Sequence, residues 1–300
     1  MIIKKTAQLT GHNAGIYALA EGLTDHTFLS AAGDGWIVQW DLNDPDLGQL
    51  LAKVETQVFS LCTLIKEKKV VAGNMNGGIH WVDLENPALT KNVAHHEKGV
   101  YDILRVGEHL FTAGGEGKLT RWSIPEMKTI ESYHLANQSL RCIAFSKKRN
   151  ELAIGATDHS IYLLDADTLE LKCRAEKAHE NSVFCLRYSP DEKRLISGGR
   201  DAHLNVWDLE NGLVKINSLP GHWFTINSID FHPKGHIFAT GSRDKTIKIW
   251  DAESYELLKV LELNRDGGHL NSVNRLLWHE HEKTLVSCSD DRTIILWNIS

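Results

Sequence analysis

No stretch of about 18 uncharged apolar residues occurs anywhere in the 300-residue chain, so a membrane-spanning helix is not expected. The N-terminal segment, Met1-Ile2-Ile3-Lys4-Lys5-Thr6-Ala7-Gln8-Leu9, lacks the apolar core of a secretory signal, and a cytoplasmic location is expected. Basic residues are not in excess: 33 Lys and Arg stand against 39 Asp and Glu, a net charge of −6, which argues against a nucleic-acid partner. Cysteine is sparse, odd in number and scattered (Cys62, Cys142, Cys173, Cys185, Cys288), with no CxxC pair. Reduced, buried thiols fit that pattern better than disulfides or a metal framework. Neither a Gly-Lys-Ser/Thr phosphate loop nor a GxGxxG turn is present, and no cofactor is implied. Proline is confined to positions 45, 87, 125, 190, 220 and 233, all expected in turns.

What the chain does have is tryptophan at a fixed interval. Trp40, Trp81, Trp122, Trp207, Trp250 and Trp297 each close a strand-like run, and Leu164 fills the remaining slot, with spacings of 41, 41, 42, 43, 43 and 47 residues. A period in that range marks one supersecondary unit copied many times. In the unit ending at Trp207, a strand (Val183 to Tyr188) leads to the turn Ser189-Pro190-Asp191-Glu192 and a second strand (Arg194 to Ser197). Gly198-Gly199-Arg200-Asp201, a third strand (His203 to Trp207) and a fourth (Leu213 to Leu219) follow. Short alternating strands separated by Gly, Asp, Asn and Pro make the chain all-β.

Trp40-Asp41, Trp207-Asp208 and Trp250-Asp251 repeat one dipeptide, with Trp81-Val82-Asp83, Trp122-Ser123 and Trp297-Asn298 as worn versions; Gly11-His12, Gly221-His222 and Gly268-His269 add a second element. In these motifs the chain resembles the WD-repeat family of β-propellers over essentially its whole length. The resemblance implies a single seven-bladed propeller over residues 1–300, with four-stranded antiparallel blades. It also implies that a strand at about residues 3–9 completes blade seven and closes the ring.

His12, Ser30, Asp34 and Trp40 invite a hydrolase reading, because Ser, His and Asp can make a base-activated nucleophile. Counting argues otherwise. The set returns as His179, Ser197, Asp201, Trp207; as His222, Thr240, Asp244, Trp250; and as His269, Ser287, Asp291, Trp297. An enzyme needs one nucleophile, not four equivalent ones, so no catalytic residue is assigned. The family resemblance implies a buried hydrogen-bond chain in each blade, which keeps turn polar groups paired. Repeat three keeps His96, Thr112 and Trp122 with Glu116 at the Asp position; repeat two keeps only Trp81, with Val71 and Met75 at the other slots; repeat four keeps Asp158 but has Ile154 and Leu164.

His279-Glu280-His281-Glu282 offers metal-type ligands, but it falls at a two-strand turn with no converging third group, so a solvated turn is expected and no metal is assigned. Trp278 aligns with Phe231, Tyr188 and Phe145 and reads as inter-blade core. Trp36 and the Trp223-Phe224 pair do not follow from the repeat, and aromatics are enriched at binding hot spots. One further slot, at the start of the first strand, reads Tyr17, Phe59, Tyr101, Arg141, Phe184, Asn227, Asn274 around the repeats. The residue before the turn Asp reads Gly33, Asn74, Gly115, Thr157, Arg200, Arg243, Asp290. By the resemblance, both slots line a top-face opening used for partner peptides.

The expectation is therefore a non-enzymatic, monomeric interaction scaffold. It binds a peptide or protein segment through Tyr17, Phe59, Tyr101, Arg141, Phe184, Arg200, Arg243, Trp223 and Phe224, and an acidic or phosphorylated ligand suits the three Arg. The alternatives are an enzyme with a site in the central channel and a structural protein that self-associates.

Overall fold

The computed structural model describes residues 1–279 and 284–299. Seven four-stranded antiparallel sheets form a ring, a seven-bladed β-propeller. The innermost strands are Ile16–Glu21, Val58–Leu64, Val100–Val106, Leu140–Ser146, Val183–Tyr188, Ile226–Phe231 and Val273–Trp278, and each touches the next around the circle, blade seven touching blade one. The sheet of blade seven runs from Val273–Trp278 outward to Ile3–Leu9, which pairs antiparallel with Ile294–Ile299, Ile3 opposite Ile299 and Leu9 opposite Ile294. The expected closing strand is thus in place, and it leaves no open face in the ring.

Blades cohere because strand alternation sends apolar side chains to both faces of each sheet, where they meet the next blade. Phe28, Trp40, Val286 and Leu296 pack between blades seven and one; Leu29, Ile37, Val58 and Val70 pack between blades one and two. Each fully buried side chain of this size is worth about 1.5–3 kcal/mol. Trp278, 3% exposed, lies in the cluster between blades six and seven.

The structure corrects the register of blade two. There Asn74 faces Val58 as Ala32 faces Ile16, and Val82 faces Val70 as Trp40 faces Phe28. Val82-Asp83 therefore occupies the dipeptide position, and Trp81 sits one residue early. A one-residue offset flips a side chain to the other sheet face. Trp81 accordingly packs with Trp122 between blades two and three, while Val82 packs between blades one and two. Among the described residues the buried Trp81 indole Nε1 has no hydrogen-bond partner. By the same register the residue before the turn is Met75, not Asn74: the Met75 N–H donates to Gln57 O at 2.9 Å, as Gly33 donates to Gly15 O at 2.8 Å.

Pro220 ends the outermost strand of blade five, Val214–Pro220, rather than lying in a turn; its missing donor faces outward there. The connection before blade seven, within the 47-residue interval from Trp250 to Trp297, forms one helical turn, Leu263–Asp266, stopped by Gly267 at φ 71°, and Lys5 Nζ donates to Gly267 O at 2.7 Å.

Candidate partner-binding site

The seven inner strands share one irregularity. Each has a β-bulge immediately after its first residue, between Ile16 and Ala18, Val58 and Ser60, Val100 and Asp102, Leu140 and Cys142, Val183 and Cys185, Ile226 and Ser228, and Val273 and Arg275. The bulged residues are Tyr17, Phe59, Tyr101, Arg141, Phe184, Asn227 and Asn274. A bulge leaves one residue outside the ladder and re-aims its side chain. Here it turns seven side chains toward one end of the channel. With Arg275 they line a recess of about 240 Å³.

The side chains form a continuous arc. Tyr17 and Phe59 meet edge to face at 5.3 Å, and Phe59 stacks on Tyr101 at 5.7 Å. The Arg141 guanidinium lies 4.1 Å from the Tyr101 ring and 4.3 Å from the Phe184 ring. Such contacts favour the cation by about 0.5–2 kcal/mol each. Burial pushes the Arg141 pKa down, Tyr101 opposes that shift, and nearby Arg200 adds to it. Gly33 and Gly115 give the rings room: a Cβ at Gly115 would lie 3.1 Å from the Tyr101 ring and one at Gly33 3.4 Å from the Tyr17 ring.

Around this mouth Arg200, Arg243 and Met75 are exposed. No carboxylate among the described residues pairs with Arg141, Arg200 or Arg243. The Trp223-Phe224 loop stands at the same end of blade six. Trp223 is 85% and Phe224 59% exposed, although the loop backbone is pinned: Trp223 N–H donates to Asp244 Oδ2 at 3.0 Å and Ser242 Oγ to Phe224 O at 3.2 Å. Leu270 holds the corresponding place on blade seven and is also exposed. Trp36 differs: it is half-buried against the core between blades seven and one.

The polar sets adopt one geometry. Trp40 Nε1 donates to Ser30 Oγ at 2.8 Å; Ser30 Oγ lies 2.8 Å from His12 Nε2; His12 Nδ1 lies 3.2 Å from Asp34. The chain recurs through Trp122, Thr112, His96 and Glu116, and through Trp207, Ser197, His179 and Asp201. It recurs again through Trp250, Thr240, His222 and Asp244, and through Trp297, Ser287, His269 and Asp291. The donors fix the wiring. Trp gives its only proton to the hydroxyl, the hydroxyl donates to Nε2, and Nδ1–H donates to the carboxylate. Each hydroxyl is fully buried and none faces the recess. In blade four Asp158 instead accepts from Tyr162 OH and from Arg174.

The channel also carries acidic groups. Asp102 and Asp230 both lie on inner strands and are compensated by Arg. Asp102 accepts from Ile143 N at 2.9 Å and pairs with Arg275 at 3.1 Å; Asp230 accepts from Trp278 N at 2.6 Å and pairs with Arg187 at 3.3 Å. Burial alone would lower the Arg275 pKa, but Asp102 and Asp230 outweigh it and the value is raised. Arg275 borders both the mouth recess and a second cavity of about 390 Å³ beneath it, so the Arg275–Asp102 pair lies between the two. His279 is corrected from solvated turn to core: it is fully buried and contacts Thr27 O at 3.1 Å and Glu21 at 3.0 Å. Glu280, His281 and Glu282 lie outside the described residues. Among the described residues no group of three or more His, Cys, Asp or Glu could hold a metal ion, and no helix is long and apolar enough to cross a membrane.

Blade architecture, repeated polar chains and a bulge-lined mouth define a WD-type repeat propeller, and the chain belongs to the family described as WD domain, G-beta repeat, which it matches at residues 3–41, 171–208, 213–251 and 257–298. Among curated proteins it is 30% identical over 139 residues to the guanine nucleotide-binding protein subunit beta of Saccharomyces cerevisiae, covering 44% of this chain and 32% of that protein. Among solved structures it is similar in fold to the WD40 β-propeller domain of Doa1, with a TM-score of 0.86, 18% identity, and coverage of 99% of this chain and 97% of that one.

Proposed function

We propose that this protein is a non-enzymatic interaction scaffold that binds a peptide or protein segment across the mouth of the propeller. The observation that carries this reading is the repeated bulge, which takes seven side chains out of the ladders and gathers an aromatic arc around one recess. Rigid aromatics supply contact area at low entropic cost, and Arg supplies directional pairing. Arg200, Arg243, Trp223 and Phe224 extend the contact surface outward. The relative from yeast is named as a subunit, which fits a propeller that works by holding partners. One propeller, as a monomer, is the unit in this reading. The five thiols are unpaired, which fits a reducing compartment such as the cytoplasm. Against a channel enzyme stands the use of Asp102 and Asp230 as ion-pair partners and acceptors for backbone N–H groups of the next blade.

The test is partner capture with the native chain beside a Tyr101→Ala, Arg141→Ala, Phe184→Ala variant of matched melting temperature. Loss of a partner only in the variant supports the reading; equal capture moves the surface elsewhere. A second reading, self-association through the exposed Trp223-Phe224 pair, predicts a concentration-dependent mass that Trp223→Ala abolishes.

A further inference from the structure

We propose that the group recognised in the mouth recess is a carboxylate, met edge-on by Arg141. This deepens the mouth-binding reading and rests on it. A recess walled by Tyr17, Phe59, Tyr101 and Phe184 would suit a cationic ligand if it were vacant, because ring faces attract cations. It is not vacant. Arg141 from the chain itself lies 4.1 and 4.3 Å from the two rings that would hold such a ligand.

That stacking decides what can bind next. A guanidinium is planar, and its N–H donors lie in the plane. With the Tyr101 and Phe184 rings 4.1 and 4.3 Å from its central carbon, the group is held at the recess, and its in-plane donors match the two oxygens of a carboxylate. The charge also needs a counterpart. Arg141 is half-buried, without a carboxylate partner among the described residues, and burial and Arg200 both work against its charge. Arg275, the other guanidinium lining the recess, is already paired with Asp102 at 3.1 Å. The volume of about 240 Å³ admits a single side chain or a chain terminus rather than a nucleotide. Across the mouth Asp290 accepts from Asn274 Nδ2 at 2.7 Å and raises the Tyr17 pKa, after burial, so an anion is disfavoured on that wall and directed toward Arg141.

The experiment observes the Arg141 Nε–H resonance of the isotope-labelled full chain, assigned by its loss in Arg141→Lys. Four probes are titrated: the N-acetyl methylamides of glutamate, glutamine, lysine and phosphoserine. The expected result is a saturable shift with the glutamate probe at millimolar concentration, with the glutamine isostere about tenfold weaker and the lysine probe inert. Equal response to glutamine, preference for lysine, phosphoserine binding about tenfold tighter than glutamate, or no shift at all would each overturn the carboxylate assignment. Arg141→Ala is expected to lose the glutamate response and to gain binding of tetramethylammonium between Tyr101 and Phe184. A merely structural Arg141 would not produce that exchange. If the variant does not fold, Arg141→Gln and the native titration still decide. Partner peptides that depend on Tyr101 and Phe184 but tolerate Glu→Gln would sink the ligand class and leave the mouth as the binding surface. Partners indifferent to all three mouth residues would sink the binding surface itself.

Discussion

Arg275 of blade seven reaches Asp102 of blade three, 173 residues away in sequence, and closes a 3.1 Å ion pair across the propeller channel. Asp102 also accepts the Ile143 N–H of blade four, so one carboxylate ties three blades together. Removing one member of a buried pair leaves the other charge uncompensated. Asp102→Ala is therefore expected to cost about 3 kcal/mol in denaturant unfolding, and the double variant Asp102→Ala, Arg275→Met to recover part of it. No recovery would mean that the Ile143 bond, rather than the stranded Arg275, carries the loss.

The register of blade two yields a second expectation. Trp122 Nε1 donates to Thr112 Oγ1 at 3.0 Å, whereas Trp81 Nε1 has no partner among the described residues, although both indoles are fully buried in one cluster. Trp→Phe at position 122 should cost about 1 kcal/mol more than at position 81, because it alone removes a hydrogen bond to a buried hydroxyl. Equal costs in chemical denaturation would contradict the assignment of Trp81 to the far face.

Asp201 and Asp158 hold the same place in their blades with different dependants. Asp201 accepts from the fully buried His179 and from Glu180 N; Asp158 accepts from Tyr162 and from the partly exposed Arg174. Asp201→Ala is expected to destabilise by about 2–3 kcal/mol and Asp158→Ala by about 1, since Asp201 holds a buried His and a backbone N–H, whereas Arg174, one of the donors to Asp158, can turn to water. Comparable melting shifts would refute the distinction.

Stability should fall on acidification in two stages. His12 and His222 are held below their ordinary 6.5 by burial, so the unfolded chain takes up these protons first and stability declines below about pH 6.5. Burial alone would raise Asp201, Asp244 and Asp291, but bonds from His179, His222 and His269 and from backbone N–H groups hold them below 3.8. Their contribution is complete above 3.8 and is lost as pH falls through their lower folded values. Urea midpoints measured from pH 8 to pH 3 test both stages; a flat profile between pH 7 and pH 5 would remove the histidine stage.

Trp223→Ala should leave the melting temperature unchanged within error, because the ring is 85% exposed and the loop is fixed by its backbone. If the loop belongs to the partner surface, the same substitution weakens capture several-fold; a lowered melting temperature would place the ring against the fold instead.

Much of the fold is legible in the sequence. The tryptophan interval implies seven units, and the resemblance places the closing strand at about residues 3–9. What escaped was information that spacing does not carry. Trp81 was matched by residue type, while its true place depends on which residue faces Val71 in the ladder. Asp102 and Arg275 are ordinary polar residues on separate strands until ring closure brings them together. His279, read as part of a solvated turn, is buried because Thr27 of the next blade offers it an acceptor. The bulges left no compositional mark either, since Tyr, Phe, Arg and Asn all occupy them.

Because the bulged residue stands outside the ladder, its identity is largely uncoupled from the apolar clusters that hold neighbouring blades together. Tyr17, Phe59, Tyr101, Arg141 and Phe184 stand outside those clusters, whereas Asn227 and Asn274 donate to Val273 O at 2.9 Å and Ile16 O at 3.0 Å and so join one blade to the next. If the mouth is the partner surface, exchanges among the aromatic and arginine positions would alter what it prefers while the apolar seams between blades stay in place.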